Sequence, residues 1–148
     1  MRAQLKKAEK VKNLRERIKD LAYAKFVEVQ DKHLSVVETI NYIARRKQKL
    51  EDLFRKKCSD GSLYLEELWG VRMELSSMEE ELEEMLKYKC ELEEQLNELR
   101  QELLKKNLDL KLAERMVERK KEGLRKEILR DQQKELDERA MLMFVRST

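Results

Sequence analysis

The sequence predicts an all-α protein: two long helices closed into an antiparallel coiled-coil hairpin, with a longer C-terminal helix overhanging its partner. Three observations predict it. Ala, Glu, Leu, Lys and Arg make up 89 of the 148 residues, the composition of long helices rather than of a layered globule. Proline is absent and glycine occurs only three times, so almost nothing punctuates the chain. Apolar residues recur in steps of three and four along both halves.

Helix 1 is expected over about residues 3–58. Its seam runs Val11, Leu14, Ile18, Ala22, Phe26, Val29, His33, Val36, Ile40, Ile43, Lys47, Leu50 and Phe54. From Phe26 onward the steps alternate as in a left-handed coiled coil. Between Leu14 and Phe26 they are all fours, which predicts a stutter that locally unwinds the supercoil. Ser59, Asp60, Gly61 and Ser62 form the only cluster of turn residues, so the turn is placed at 59–62. Helix 2 is expected over about 62–145. Its seam runs Tyr64, Leu68, Val71, Leu75, Met78, Leu82, Met85, Lys89, Leu92, Leu96, Leu99 and Leu103. It then continues in steps of four through Leu104, Leu108, Leu112 and Met116. The lone Gly70 and Gly123 predict local weakening, about 1 kcal/mol each against alanine. Residues 1–148 read as one coiled-coil domain.

A short turn lets the two seams close on each other at little loop-closure entropy. Charge favours the same pairing. Residues 1–58 hold 17 basic and 8 acidic side chains, whereas 59–104 hold 4 basic and 14 acidic. Folding about the turn lays the basic helix along the acidic half of its partner, and a parallel homodimer stacks like on like. The free protein is therefore expected to be monomeric. With the turn centred near residue 60, opposed residue numbers sum to about 121, and 121–148 overhang by about 42 Å at 1.5 Å per residue. The overhang is amphipathic through Leu124, Ile128 and Leu136 and ends in Met141, Leu142, Met143, Phe144 and Val145. An apolar tip of this kind calls for a partner.

Catalytic chemistry finds no support. His33 is the only histidine and sits on the seam, with no second ligand or base near it in the pattern. Cys58 and Cys90 form neither a metal set nor a disulfide framework, which suits a reducing compartment. The acidic runs Glu79–Glu84 and Glu91–Glu94 point around the helix and do not converge on one ion. No cofactor is expected, no enzyme activity, and neither a signal peptide nor a membrane span. The basic runs Arg45–Lys47 and Arg55–Lys57 face an acidic partner helix, and a net charge of +3 argues against nucleic acid. Among the aromatics, Phe26, Phe54 and Tyr64 are expected in the core. Tyr42 and Trp69 fall beside the seam near the turn, and with Leu65 and Met73 they form a candidate docking patch.

Three stretches carry a family resemblance: KVKNLRERIKDLAYAKFVEVQ, SDGSLYLEELWGVRMEL and, above all, ERKKEGLRKEILRDQQKELDERAMLMF. Together they resemble the flagellar export protein FliJ family, most distinctively at Gln133, Glu135, Leu136, Asp137, Glu138 and Ala140. The resemblance implies bacterial flagellum biogenesis and type III protein export. It implies a non-catalytic stalk in the cytoplasm, peripheral at the inner face of the inner membrane. Such a stalk inserts its termini into the hexameric flagellar export ATPase, promotes assembly of that ring, and contacts the cytoplasmic domain of the export gate and export chaperones. Carried onto this chain, the ring-binding residues are Asp137, Ala140, Met141, Leu142, Met143, Phe144 and Val145. Those for the gate or chaperones are Tyr42, Leu65, Trp69 and Met73. The competing readings are a purely structural coiled-coil dimer and the central stalk subunit of a rotary ATPase.

Overall fold

A computed structural model of the chain describes residues 2–61 and 64–147. It is an all-α helical hairpin of two elements, α1 (Arg2–Asp60) and the longer α2 (Leu65–Ser147). The helices run antiparallel: Gln4 meets Lys120, Arg15 meets Asp109, His33 meets Glu93 and Lys47 meets Glu79.

The helix ends lie later than the composition of the turn suggests. Ser59 and Asp60 stay in α1, where the Ser59 hydroxyl donates to the Lys56 carbonyl at 2.9 Å, a back-bond that a helix accommodates. Gly61 does the breaking. Its φ of 66° lies in the left-handed region that glycine enters without penalty, and its N–H reaches back to the Cys58 carbonyl at 3.4 Å. Ser62, expected in the turn, lies outside the described residues. α2 opens with the Leu68 N–H on the Tyr64 carbonyl at 3.1 Å, and Glu66 and Glu67 in its first turn suit the positive end of the helix dipole. The helix continues through Gly70 and Gly123 without a break.

The chain divides into two compact units, 24–101 and 1–23 with 102–148. In the unit formed by residues 24–101, the buried positions follow the expected seam. Val36, Ile43, Met78, Leu92 and Leu96 are buried, and Phe26, Val29, Ile40, Leu50, Phe54, Leu68, Val71, Leu75, Leu82, Met85 and Leu99 are half-buried. Tyr64 departs from expectation. It precedes α2 and is exposed, so it belongs to the surface and not to the core.

In the unit formed by 1–23 and 102–148 the expected run of fours keeps Ile18 and Ala22 under cover but loses Leu14. The unit's buried or half-buried α1 residues are Leu5, Ala8, Glu9, Lys12, Ile18, Lys19 and Ala22, and Leu5, Ala8, Lys12, Lys19 and Ala22 fall into threes and fours once the exposed Arg15 is counted between Lys12 and Lys19. Val11 and Leu14, expected on the seam, are exposed. On α2 the seam continues from Leu103 through Lys106, Leu110, Ala113, Val117, Lys120 and Leu124, again in threes and fours. Leu104, Leu108, Leu112 and Met116 are exposed outside it. Small and basic residues thus hold the seam positions that bulkier apolar neighbours were expected to take. Alanines let the helices approach, and the lysines bury their stems while keeping the ammonium in water.

Register differs from expectation by about one helical turn. Opposed residues sum to 124 for Gln4 with Lys120 and for Arg15 with Asp109. They sum to 126 for His33 with Glu93 and for Lys47 with Glu79. The cause is local: α1 ends at Asp60 and α2 begins at Leu65, so the connection is centred between residues 62 and 63. Burial agrees. Leu124 is the last residue with partial cover, every described residue from 125 to 147 is exposed, and the overhang is about 34 Å rather than 42 Å.

Two outcomes test this register. In a Cys58→Ser, Cys90→Ser background, Ala8→Cys with Val117→Cys should oxidise to an intrachain disulfide readily. The pair Ala8→Cys with Ala113→Cys, which suits a sum of 121, should not, and non-reducing gels distinguish them. Leu110→Ala should cost about 2–3 kcal/mol in denaturant unfolding. Leu112→Ala, at an exposed site two residues on, should stay within about 0.5 kcal/mol.

Candidate docking surfaces

On a helical hairpin, function resides in what the paired faces leave outside. Among the described residues, ion pairs cross between the helices from Arg15 to Asp109 at 3.0 Å and from Lys47 to Glu79 at 3.4 Å, and His33 Nε2 lies in hydrogen-bond contact with Glu93 at 3.3 Å. Their side chains are partly solvated, so they select orientation more than they add stability. Arg100 stands over the Phe26 ring at 5.8 Å, covering one edge of the seam aromatic. Among the described residues, no three His, Cys, Asp or Glu side chains are placed to share a metal ion. Nor is any helix long and apolar enough to cross a membrane.

The first surface is the end of α2. Asp137 and Ala140 are exposed, and Asp137 accepts a hydrogen bond from Gln133 at 3.1 Å, one turn earlier on the same helix. Met141, Leu142, Met143, Phe144 and Val145 follow, each exposed by 61–74%. Five consecutive residues at 100° per residue sweep the whole circumference of a helix. The tip is therefore apolar all round, unlike the single stripe of a helix that lies against one surface. The Ser147 hydroxyl donates to the Phe144 carbonyl at 2.9 Å and closes the last turn.

The second surface lies at the start of α2. Leu65, Trp69 and Met73 recur at steps of four on one exposed face, with Trp69 68% exposed. Leu65, Glu66, Leu68, Trp69 and Arg72 line a shallow depression of about 450 Å³. Trp69 and Arg72 also border a second one with Met73 and Ser76. Arg72 and Glu66, which apolar patterning passes over, are thus part of the patch, and their signal is position one turn from Trp69. Tyr42 is not part of it. It lies on α1 under the Arg46 guanidinium at 5.8 Å, and by register it stands level with residues 83–84, about ten residues or 15 Å along from Met73.

Comparison with protein-family models, with curated proteins and with solved structures finds no match to this chain.

Trp69 is the only tryptophan, so it reports directly on the second surface. Its emission should be that of a solvated indole in the free protein. Capture of a partner by this face should shift the emission to the blue, and Leu65→Ser with Met73→Ser should remove the shift without lowering helicity.

Proposed function

We propose that this protein is a non-catalytic stalk that inserts the apolar tip of α2 into the ring of a hexameric ATPase of the flagellar type III export system. In this reading it promotes assembly and activity of the ring and links it to the export gate and to export chaperones. One observation carries the reading: a helix of about 34 Å beyond the last paired turn, ending in Met141–Val145 with apolar side chains on every side.

A groove that covers one face of a helix needs one apolar stripe. An apolar belt over the full circumference suits a socket that surrounds the helix, and exposed surface of this kind is rarely left uncovered in water. Methionine at two of the five positions suits contact with repeated sites on a ring, since its unbranched thioether adapts to unlike neighbours. Asp137 and Ala140 lie one turn before the belt, where they meet the mouth of the socket. The resemblance to the FliJ family in residues 118–144 names the ring as the flagellar export ATPase.

The patch at Leu65, Trp69 and Met73 is the proposed site for the export gate or an export chaperone, with Tyr42 as a separate point of contact. The protein then works in the cytoplasm, peripheral to the inner membrane.

The test is ATP hydrolysis by the export ATPase of the same organism, with and without this protein. Addition of the wild-type chain should raise hydrolysis and hexamer formation. Met143→Asp with Phe144→Asp should abolish both and reduce ring binding at least about tenfold. Helicity and melting should hold, because these positions are exposed. Equal stimulation by the double variant, or none by the wild type, refutes the assignment.

A further inference from the structure

A third apolar surface, separate from the tip and from the face at Trp69, runs along the flank of the unit formed by 1–23 and 102–148. Its origin is the inverted packing of that unit. Ala8, Ala22 and Ala113 are buried, while Val11, Leu14, Leu21, Leu112 and Met116 are exposed. Leu110 and Val117 stay inside with the alanines, while these five bulkier groups face water.

The exposed residues follow a second heptad pattern. With Leu5, Lys12 and Lys19 at a and Ala8, Arg15 and Ala22 at d, the c and g positions of α1 hold Val11, Leu14, Ile18 and Leu21 in steps of three, four and three. On α2, with Leu110 and Val117 at a, Leu112 falls at c and Met116 at g. In an antiparallel pair the two g edges lie on the same side, here marked by the bridge from Arg15 to the g residue Asp109. Register puts Leu112 within a turn of both Val11 and Leu14, and Met116 within a turn of Val11. A helix pair with one seam between its members and a second along its flank has the pattern needed to accept a third helix.

Charge identifies the occupant. This unit carries 21 basic and 13 acidic residues, net +8, whereas residues 24–101 carry 13 and 18. In its paired part, the b and e positions of the opposite flank hold Glu9, Glu16, Asp20, Glu114 and Glu118 against Arg2, Lys6, Lys111 and Lys121, net −1. The c, f and g positions bordering the apolar stripe hold Lys7, Lys10, Arg17, Lys105, Arg115 and Arg119 against Glu102, Asp109 and Glu122, net +3. Asp109 is already engaged by Arg15.

We infer that this flank docks an amphipathic α-helix of a partner protein, with Leu, Ile or Met along its buried stripe and Asp or Glu along both edges, to make a local three-helix bundle. The apolar stripe supplies affinity by burial. The rim of lysine and arginine rejects basic helices and speeds encounter with acidic ones. A second copy of the same unit meets the flank with like charge.

The probe is a synthetic helical peptide of about three heptads, with Leu at the seam positions and Glu at the edges. Binding is followed by titration calorimetry against the full chain. Saturable binding that weakens with added salt is expected, with at least about tenfold loss for a peptide carrying Lys in place of Glu. Leu14→Glu with Leu112→Glu should lose binding to the same degree, and the milder Leu14→Ser with Leu112→Ser should weaken it, both at unchanged helicity. Met143→Asp with Phe144→Asp should bind the peptide as the wild type does, which separates this surface from the tip. Absence of saturable binding, or equal binding of the Lys peptide, overturns the inference. So does a dimer in sedimentation that Leu14→Ser with Leu112→Ser abolishes, which assigns the flank to a second copy. Uptake by phosphatidylserine vesicles without peptide binding assigns it to lipid and overturns it as well.

Discussion

The heptad phase of the seam is the constraint on which everything else in the hairpin depends. An α-helix cannot change the face it presents without a stutter or a stammer, and each of these distorts the supercoil. Within each unit α1 and α2 therefore keep an alternation of threes and fours as far as Leu124, whatever residues fall on it. Where Val36, Ile43, Met78, Leu92 and Leu96 hold the seam, phase and hydrophobicity coincide. Where Lys12, Lys19, Lys106 and Lys120 hold it, phase prevails and the lysine stems are half-buried.

That dominance of phase decides which groups are left to meet other molecules. In residues 1–23 and 102–148 it turns bulky apolar side chains outward and tucks alanines inward, so the unit holds a thin core and a greasy flank. Beyond Leu124 there is no further seam, and the apolar residues at the end of α2 lie around the whole helix. At the start of α2 they lie on one face beside Arg72. The three surfaces differ in form, an all-round tip, a double-helix flank and a single-helix face, and the form of each limits what can cover it. A tip suits a socket, a flank suits another helix, and a face with a shallow depression suits an anchor side chain.

Electrostatics plays a different part. Among the described residues few ion pairs cross the seam, and Arg15–Asp109 and Lys47–Glu79 are partly exposed, so they contribute modestly to stability. Their value lies in direction. The basic first helix and the acidic first half of the second favour an antiparallel pair within one chain, and the same asymmetry leaves the end that holds both termini with an excess of positive charge.

Much of this was legible in the residues themselves. Absence of proline, scarcity of glycine and long apolar periodicity determined two helices, because these are local properties, and the short turn and the opposite charge of the two halves made their antiparallel closure legible. The exposed tip was legible in the run Met141–Val145, where five successive apolar residues cannot all face one seam. Tertiary structure decided the rest. A periodicity read locally favours the bulkiest apolar residues and placed Leu14, Leu104, Leu108 and Leu112 on the seam. Packing in three dimensions carried the phase of the neighbouring heptads through and put Ala8, Leu110 and Ala113 there instead. The register likewise depended on where Gly61 turned the backbone, about two residues later than the polar cluster suggests, since a shift at a hairpin turn is doubled in the sum of opposed residues.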